Sequence, residues 1–199
     1  MTINTLMIAS SNAGKLKELC QLLSPLGLEV LSPANFPNLD ADVEETGLTF
    51  IENALIKARH LARQCDHPCL GDDSGLCIPA LQGRPGIFSA RYAGSHTAYA
   101  EKMSRLLAEL EAMPQASRQA YFYCALVLVM HSNDPTPIIA LGRWDGEIAH
   151  APKGTQGFGY DPIFYLPELA LTSAELAAEQ KNTLSHRAQA LKNLVNQLR

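Results

Sequence analysis

The sequence predicts an α/β protein with a mixed β-sheet and flanking helices. Short apolar segments in the first part of the chain alternate with amphipathic helical patterns. Later, two long apolar segments, Tyr121–Met130 and Ile138–Trp144, follow one another without a helix between them. Because strands and helices are interspersed without strict alternation, we expect a mixed sheet. The length of 199 residues fits one domain, which we predict to span residues 1–199.

The first part of the chain predicts short strands and two helices. Apolar residues of the first helix recur every three or four positions, which places one face against a core. The second helix begins at a capping box formed by Thr49 and Glu52. The predicted elements are a strand at Thr5–Ala9, a helix at Ala13–Leu23, a strand at Leu28–Leu31, a helix from the capping box to about Gln64, and a short strand ending at Leu70.

The second part of the chain predicts three helices around the two long strands. A turn at residues 133–135 separates these strands and makes them neighbours in the sheet. Met103, Leu106 and Leu110 have the spacing of one helix face. The predicted helices are Thr97–Glu111, Ser173–Glu179 and His186–Leu198.

Composition limits the classes of partner. The net charge is −4, so the chain has no basic field for binding a nucleic-acid polymer. The longest apolar run, within Tyr121–Met130, is too short for a membrane-spanning helix. The apolar run Leu6–Ala9 is too short for a signal peptide, and no lysine or arginine precedes it. We therefore expect a cytoplasmic protein that does not bind a membrane.

The chain has five cysteines, and an odd number without a secretory signal argues against a disulfide framework. Cys65 and Cys69 superficially resemble half of a zinc motif. Since no second Cys/His pair has a matching spacing, a structural zinc site is not expected. We interpret the cysteines as small buried or half-buried thiols.

The most informative segment is Gly71–Gly75, with the sequence GDDSG. Acidic pairs are poor strand formers and glycine permits unusual backbone angles, so we expect the chain to leave a buried strand here and turn. Paired carboxylates at a strand end suit Mg²⁺, which prefers a few carboxylates together with substrate oxygens. The alternative is a solvated turn, because Asp, Ser and Gly are common turn residues.

The loop before the first predicted helix is a candidate phosphate site. A helix N-terminus offers free N–H groups and a positive dipole end to an anion. The loop is not a Walker A motif, because Ala9 and Leu16 stand where that motif needs Gly and Ser or Thr. The alternative is a plain helix cap. The residues concerned are Ser10, Ser11, Asn12, Ala13, Gly14 and Lys15.

An acidic loop precedes the capped helix. As a functional interpretation, Glu44 or Glu45 supplies a second carboxylate for a metal near Asp73. The alternative is a solvated acidic loop. Lys57, two turns into the following helix, either reaches a phosphate or lies exposed.

Two later segments predict contacts to a base. The loop Gly154–Pro162 contains three glycines and two aromatic residues. Glycines permit close backbone approach and aromatic rings stack on bases, although a tight structural turn is the alternative. His186 and Arg187 begin the last helix, where cations are unfavourable. That misfit indicates an anionic or carbonyl-bearing partner, with an ordinary surface arginine as the alternative.

Together these segments, in this order, resemble the inosine triphosphate pyrophosphatase family, also described as dITP/XTP pyrophosphatases. The matching stretches are Ile8–Lys15, Glu44–His60, Asp72–Leu76 with Gly86–Ala93, Gly157–Phe164, and Ser185–Ala190. Each stretch is weak by itself, but five in the same order are highly specific. One departure is Gly71, which stands where the family often has Ala.

The resemblance implies an elongated mixed sheet with two lobes around a nucleotide-binding cleft, usually in a homodimer. It implies Mg²⁺-dependent hydrolysis of non-standard purine nucleoside triphosphates (dITP, ITP, XTP) to the monophosphate and pyrophosphate. The phosphate loop would hold the triphosphate, and Glu44 and Asp73 would ligate Mg²⁺. Asp73 would also accept a proton from the attacking water. The other residues that would contact the nucleotide are Ser74, Phe158, Gly159, Tyr160, Asp161, Lys181, His186 and Arg187.

Two rival functions remain from the sequence. One is a related pyrophosphatase for pyrimidine or modified nucleotides. The other is a non-enzymatic nucleotide sensor, which would not need the Glu44 and Asp73 carboxylates and would show no Mg²⁺-dependent turnover.

Overall fold

The protein is described by a computed structural model that covers residues 3–36 and 38–198. Within these residues the strands are β1 (Thr5–Ala9), β2 (Glu29–Leu31), β3 (Cys69–Cys77), β4 (Gln119–Val129), β5 (Ile138–Ile148), β6 (Phe164–Leu166) and β7 (Leu171–Thr172). They form one sheet in the order β2-β1-β3-β4-β5-β6-β7. Pairs β1–β2 and β1–β3 are parallel, whereas β5–β6 and β6–β7 are antiparallel. The mixed sheet predicted from the sequence is therefore confirmed.

Helices flank this sheet. In the same described residues they are α1 (Ala13–Leu23), α2 (Phe50–Ala62), α3 (Tyr99–Glu111), α4 (Ala178–Leu184) and α5 (His186–Leu198). The capping box predicted at Thr49 and Glu52 is present at the start of α2. No helix in the described residues combines the length and the apolar character that crossing a bilayer requires.

The described residues divide into two compact units. The first unit contains the described residues up to Asp73, together with Cys124–Gly142 and the described residues from His186 onward. Its side chains pack on both faces of the sheet because successive strand residues point to opposite sides. Ile8 packs in one cluster with Leu19 of α1 and Leu191 of α5. Ala9, the next residue of β1, packs in another cluster with Ala58 of α2.

The second unit comprises Ser74–Tyr123 and Arg143–Ser185. Its core is rich in aromatic side chains and also contains Leu106 of α3. The Phe164 ring centroid lies 4.5 Å from that of Phe122 and 5.3 Å from that of Trp144. Such tilted ring pairs add to the stabilisation from apolar burial.

Two expectations of local structure are wrong. The acidic pair does not end a strand, because Cys69–Cys77 is one continuous strand with Asp72 and Asp73 inside it. Tertiary ion pairs, described below, offset the low strand propensity of aspartate. The predicted helix at Ser173–Glu179 is instead a 3₁₀ turn at Ser173–Glu175, and α4 begins only at Ala178.

Candidate active site

Parallel pairing brings the predicted phosphate loop beside the acidic pair. Ala9, the last residue of β1, is in register with Gly71 of β3. The loop that leaves β1 therefore begins next to Asp72. Lys15 in the first turn of α1 completes this arrangement, because its Nζ atom lies 2.9 Å from Asp72 Oδ1. The sequence prediction of a strand, a loop and a helix N-terminus is confirmed here.

Side chains within the loop fix its conformation. Asn12 is the N-cap of α1, and its Oδ1 accepts a hydrogen bond from the Lys15 backbone N–H at 3.0 Å. Ser10 Oγ accepts a hydrogen bond from the Asn12 backbone N–H at 3.2 Å. The loop thus combines a helix N-terminus with a lysine ammonium group, the combination that favours an anion.

Asp72 is part of a buried charge network. The Arg187 Nε atom lies 2.6 Å from Asp72 Oδ2, and Arg187 Nη1 also pairs with Glu18 Oε2. Arg187 is 1% exposed. Burial alone would lower the pKa of Arg187, but the carboxylates of Asp72 and Glu18 outweigh it and raise that pKa. Both oxygens of Asp72 are therefore bound by cations, so this residue holds Lys15 and Arg187 in place.

Asp73 meets a different set of side chains, supplied by α2. Its Oδ1 atom accepts a hydrogen bond from Lys57 Nζ at 2.7 Å, and Oδ2 lies 3.5 Å from Asn53 Nδ2. Asn53 and Lys57 are four residues apart and so share one face of the helix. The close approach of helix and strand depends on Gly71, since a Cβ atom there would lie 2.0 Å from the Ala54 carbonyl oxygen.

Lys57 is shared between two carboxylates. Its Nζ atom lies 2.7 Å from Asp73 Oδ1 and 2.5 Å from Glu45 Oε1. Burial lowers the pKa of Lys57, but the two carboxylates outweigh it and raise that pKa above its usual value. Burial raises the pKa of Asp73 despite the opposing charges of Lys57 and Lys15. A carboxylate with a raised pKa is a better proton acceptor near neutral pH than an ordinary aspartate.

The donors present fit a hard divalent cation. Glu45 and Asp73 converge on one point of positive charge, the Lys57 ammonium group. Mg²⁺ commonly uses one or two protein carboxylates and takes its other ligands from water and substrate phosphates. The described residues contain no group of three or more His, Cys, Asp or Glu side chains that could hold a metal by themselves. Glu44, the ligand implied by the family resemblance, is exposed.

The second unit places the glycine-rich loop around a buried aspartate. Asp161 Oδ2 accepts hydrogen bonds from the Phe158 backbone N–H at 2.8 Å and from Lys181 Nζ at 2.6 Å, while Oδ1 accepts one from Ser173 Oγ at 2.9 Å. Lys181 Nζ also lies 5.1 Å from the centroid of the Phe158 ring. Asp161 is 2% exposed. It therefore shapes the loop and orients Lys181 from inside the unit.

The other aromatic residue of this loop is also anchored. Tyr160 is buried, and its hydroxyl donates a hydrogen bond to the Ser89 carbonyl oxygen at 3.0 Å. Its ring packs edge-on against Tyr99, with centroids 5.4 Å apart. Phe158 and Gly159 are half-buried. Of the two aromatic rings predicted to face a base, Phe158 is thus the more accessible.

The remaining predicted residues differ in exposure. His186 begins α5 and is buried in the first unit, while Ser74, the first residue of the second unit, is half-buried. In the phosphate loop Ser10 is buried, Asn12 and Gly14 are half-buried, and Ser11 and Ala13 are exposed.

Sequence reasoning missed several residues of these networks. No sequence motif points to Glu18, Asn53 or Ser173, although each contacts a predicted site residue. Asn53 could have been found, because it lies one helical turn before Lys57 on the same face. Glu18 and Ser173 carry no local signal, since their roles arise from residues more than ten positions away in the chain.

Comparison with known proteins places this arrangement in a family. Residues 6–197 match the model of the Ham1 family. The chain is 50% identical over 194 residues to a protein of Yersinia pseudotuberculosis named dITP/XTP pyrophosphatase, with 98% of each chain covered. A Vibrio parahaemolyticus protein of the same name is 51% identical over 193 residues, with 97% of this chain and 96% of the relative covered.

Solved structures agree with the sequence relatives. A HAM1 protein from Coxiella burnetii has a TM-score of 0.90 and 47% identity, with 98% of both chains covered. A nucleoside-triphosphatase, or dITP/XTP pyrophosphatase, from Mycobacterium abscessus has a TM-score of 0.75 and 40% identity, covering 98% of this chain and 100% of that one. The match to the family model over nearly the whole chain, together with these relatives, shows that the chain belongs to the Ham1 family.

Proposed function

We propose that this protein hydrolyses non-standard purine nucleoside triphosphates, namely dITP, ITP and XTP, to the nucleoside monophosphate and pyrophosphate. The observation that carries the proposal is near-complete coverage at about half identity by relatives named dITP/XTP pyrophosphatase. The site supports it independently, because Lys15 at a helix N-terminus and two carboxylates around Lys57 lie on neighbouring parts of the first unit.

The triphosphate would be bound by the loop before α1. Backbone N–H groups and Lys15 favour phosphate oxygens, and Asp72 keeps the lysine ammonium group oriented. Arg187 contributes by holding Asp72 from its other side. The residues of this phosphate site are Ser10, Ser11, Asn12, Ala13, Gly14 and Lys15.

Asp73 would accept the proton of the attacking water. Its position suits this role, because Asn53 and Lys57 hold its two oxygens in fixed directions. Mg²⁺, when bound, would neutralise phosphate charge and stabilise the pyrophosphate leaving group. Asp73→Asn is expected to lower kcat by about 10²–10⁴-fold, the usual contribution of one general base. An unchanged kcat would show that another group takes the proton.

Mg²⁺ would be held by Asp73 together with a carboxylate of the 44–45 pair. Glu44 is the ligand that the family resemblance implies, whereas Glu45 shares Lys57 with Asp73. The matched variants Glu44→Gln and Glu45→Gln separate the two residues. The variant that lacks the metal ligand should need a higher Mg²⁺ concentration for half-maximal activity. The other variant should need the same Mg²⁺ concentration as the unmodified protein. If neither variant alters the Mg²⁺ dependence, the acidic loop does not bind the metal.

The base would be bound by residues of the glycine-rich loop and by the polar groups that the family resemblance implies. Hypoxanthine and xanthine present a 6-oxo acceptor where adenine presents an amino donor, so donors in the site favour the oxo bases. A mismatched buried donor costs about 1–3 kcal/mol, which disfavours ATP. The residues that the family resemblance implies for this role are Ser74, Phe158, Gly159, Tyr160, Asp161, Lys181, His186 and Arg187. Of these, the buried Asp161 and Arg187 would act by holding Lys181 and Asp72.

The decisive experiment is a panel of nucleoside triphosphates assayed for pyrophosphate release with and without Mg²⁺. We expect turnover of dITP, ITP and XTP with Mg²⁺, much weaker turnover of ATP, and none after chelation. Preference for CTP or UTP would favour a pyrimidine pyrophosphatase. Binding of ITP without Mg²⁺-dependent turnover would favour a sensor.

The family resemblance also leads us to expect a cytoplasmic homodimer. Light scattering coupled to size-exclusion chromatography would give twice the chain mass of 21.6 kDa. A single-chain mass at micromolar concentration would contradict the dimer but not the proposed reaction.

A further inference from the structure

Two cysteines that the reaction does not use lie together where the segment after α2 meets the start of β3. The Sγ atoms of Cys65 and Cys69 are 3.6 Å apart. That is contact distance for two sulfur atoms, and a disulfide would require them to approach to about 2.05 Å. Cys65 and Cys69 are free thiols, as are Cys20, Cys77 and Cys124.

The two thiols differ in access. Cys65 is half-buried, whereas Cys69 is buried as the first residue of β3. Each Sγ atom also donates to a nearby carbonyl, Cys65 to Leu61 at 3.5 Å and Cys69 to His67 at 3.4 Å. A soluble oxidant therefore reaches Cys65 first, and Cys69 is positioned to react second.

We propose that Cys65 and Cys69 form a reversible redox site that closes to an intramolecular disulfide with a low-molecular-weight disulfide such as oxidised glutathione. The Cys65 thiolate attacks the oxidant, forming a mixed disulfide and releasing one glutathione thiol. The Cys69 thiol then attacks Cys65 Sγ, its proton passes to the departing glutathione thiolate, and the second glutathione thiol is released. Two protein thiols are oxidised, one glutathione disulfide is reduced, and the two protons end on the glutathione thiols.

The position of this site gives the disulfide a structural consequence. The disulfide would connect the segment that follows α2 to the first residue of β3. Helix α2 carries Lys57, and strand β3 carries Asp73. Helix and strand are already in backbone contact, because a Cβ atom at Gly71 would meet the Ala54 carbonyl oxygen. A cross-link at this junction restricts the unfolded chain and stabilises the contact that holds Lys57 against Asp73.

The test uses the full chain with Cys20→Ser, which removes the exposed thiol. The reduced protein is equilibrated in glutathione buffers of increasing oxidised fraction, alkylated under denaturing conditions, and digested with a protease that cleaves before aspartate. Cleavage at Asp66 separates Cys65 from Cys69, and cleavage at Asp72 separates Cys69 from Cys77. The two peptides that carry Cys65 and Cys69 stay joined only if the disulfide has formed.

We expect the joined peptides to appear with increasing oxidation and to disappear after dithiothreitol. The oxidised protein should melt about 4–8 °C higher than the reduced protein, as loop entropy predicts for a five-residue loop. In Cys69→Ala the expected product is a persistent glutathione adduct on Cys65.

Three results would overturn the proposal. They are a glutathione adduct on Cys65 that persists with Cys69 present, a joined peptide that involves Cys77 or Cys124 instead, and a lower melting temperature after oxidation. None of these readouts depends on which nucleotide the protein hydrolyses.

Discussion

Asp72 and Asp73 are adjacent in β3, yet their carboxylates meet different partners. Successive strand side chains point to opposite faces of a sheet, so the two cannot share one environment. Asp72 binds Lys15 and Arg187, whereas Asp73 binds Lys57 and Asn53. Because side chains alternate along β3, Asp72 binds its two cations on one side of the strand, whereas Asp73 faces α2, the helix that carries Lys57.

Arg187 is expected to contribute strongly to stability. Arg187→Met would leave Asp72 and Glu18 without their buried cation, and breaking a buried pair costs about 3–5 kcal/mol. Urea unfolding followed by circular dichroism measures the loss. Arg143→Met is the matched control, because Arg143 pairs with Asp145 at the surface and its removal should cost about 1 kcal/mol or less. Equal losses in both variants would contradict the structural role of Arg187.

Lys57 is expected to be essential for turnover. Lys57→Ala would remove the cation that the carboxylates of Asp73 and Glu45 share. We expect kcat/KM for ITP to fall by about 10²-fold or more, the effect of removing one preorganised electrostatic group. The exposed Lys192→Ala provides the control and should keep full activity. Retention of activity in Lys57→Ala with an unchanged melting temperature would show that Asp73 does not depend on this lysine.

At this scale the sequence predicted candidate site residues but not every side chain that contacts them. The loop before α1 and the acidic pair were located because their residue types and order are unusual. The sequence does not show whether Glu44 or Glu45 lies near Asp73. The two residues are identical and adjacent in a loop, so only the folded conformation determines which side chain points toward Asp73. The burial of Arg187 was equally invisible, because its partners Glu18 and Asp72 are more than a hundred residues away.

Element boundaries were predictable where local signals were strong. β1, α1 and α5 have the predicted limits, since apolar periodicity and capping residues define them within the segment. β3 was mispredicted as a strand that stops at the acidic pair. Glycine and aspartate do disfavour strands locally, but Lys15, Lys57 and Arg187 stabilise this strand through distant contacts.

The spacing between α2 and β3 is the element most sensitive to a small change. In Gly71→Ala the added Cβ would lie 2.0 Å from the Ala54 carbonyl oxygen, so the helix backbone must move. We expect a loss of about 1–3 kcal/mol in unfolding free energy and reduced activity, because α2 carries Lys57.

The control for this variant is Gly146→Ala in the second unit. Its Cβ would lie 2.6 Å from the Tyr165 carbonyl oxygen, so stability should fall for the same reason without displacement of α2. If Gly71→Ala keeps wild-type stability and kcat, the helix can move from the strand without consequence.

At the scale of the whole molecule, three of the boundaries between the two units fall inside strands and not in loops. The division falls between Asp73 and Ser74 in β3, between Tyr123 and Cys124 in β4, and between Gly142 and Arg143 in β5. Independent domains are normally joined by exposed linkers. The single domain predicted from the sequence stays a prediction, and the three continuous strands are the reason to test it by unfolding.

We accordingly expect one cooperative unfolding transition. Calorimetry should give a single peak whose calorimetric and van't Hoff enthalpies agree, as in two-state unfolding. Arg187→Met in the first unit and Gly146→Ala in the second should each shift that whole peak to lower temperature, because strands that pass through both units cannot unfold in one alone. Two resolved peaks, or a substitution that shifts only part of the transition, would show that the units unfold independently and that the chain contains two domains.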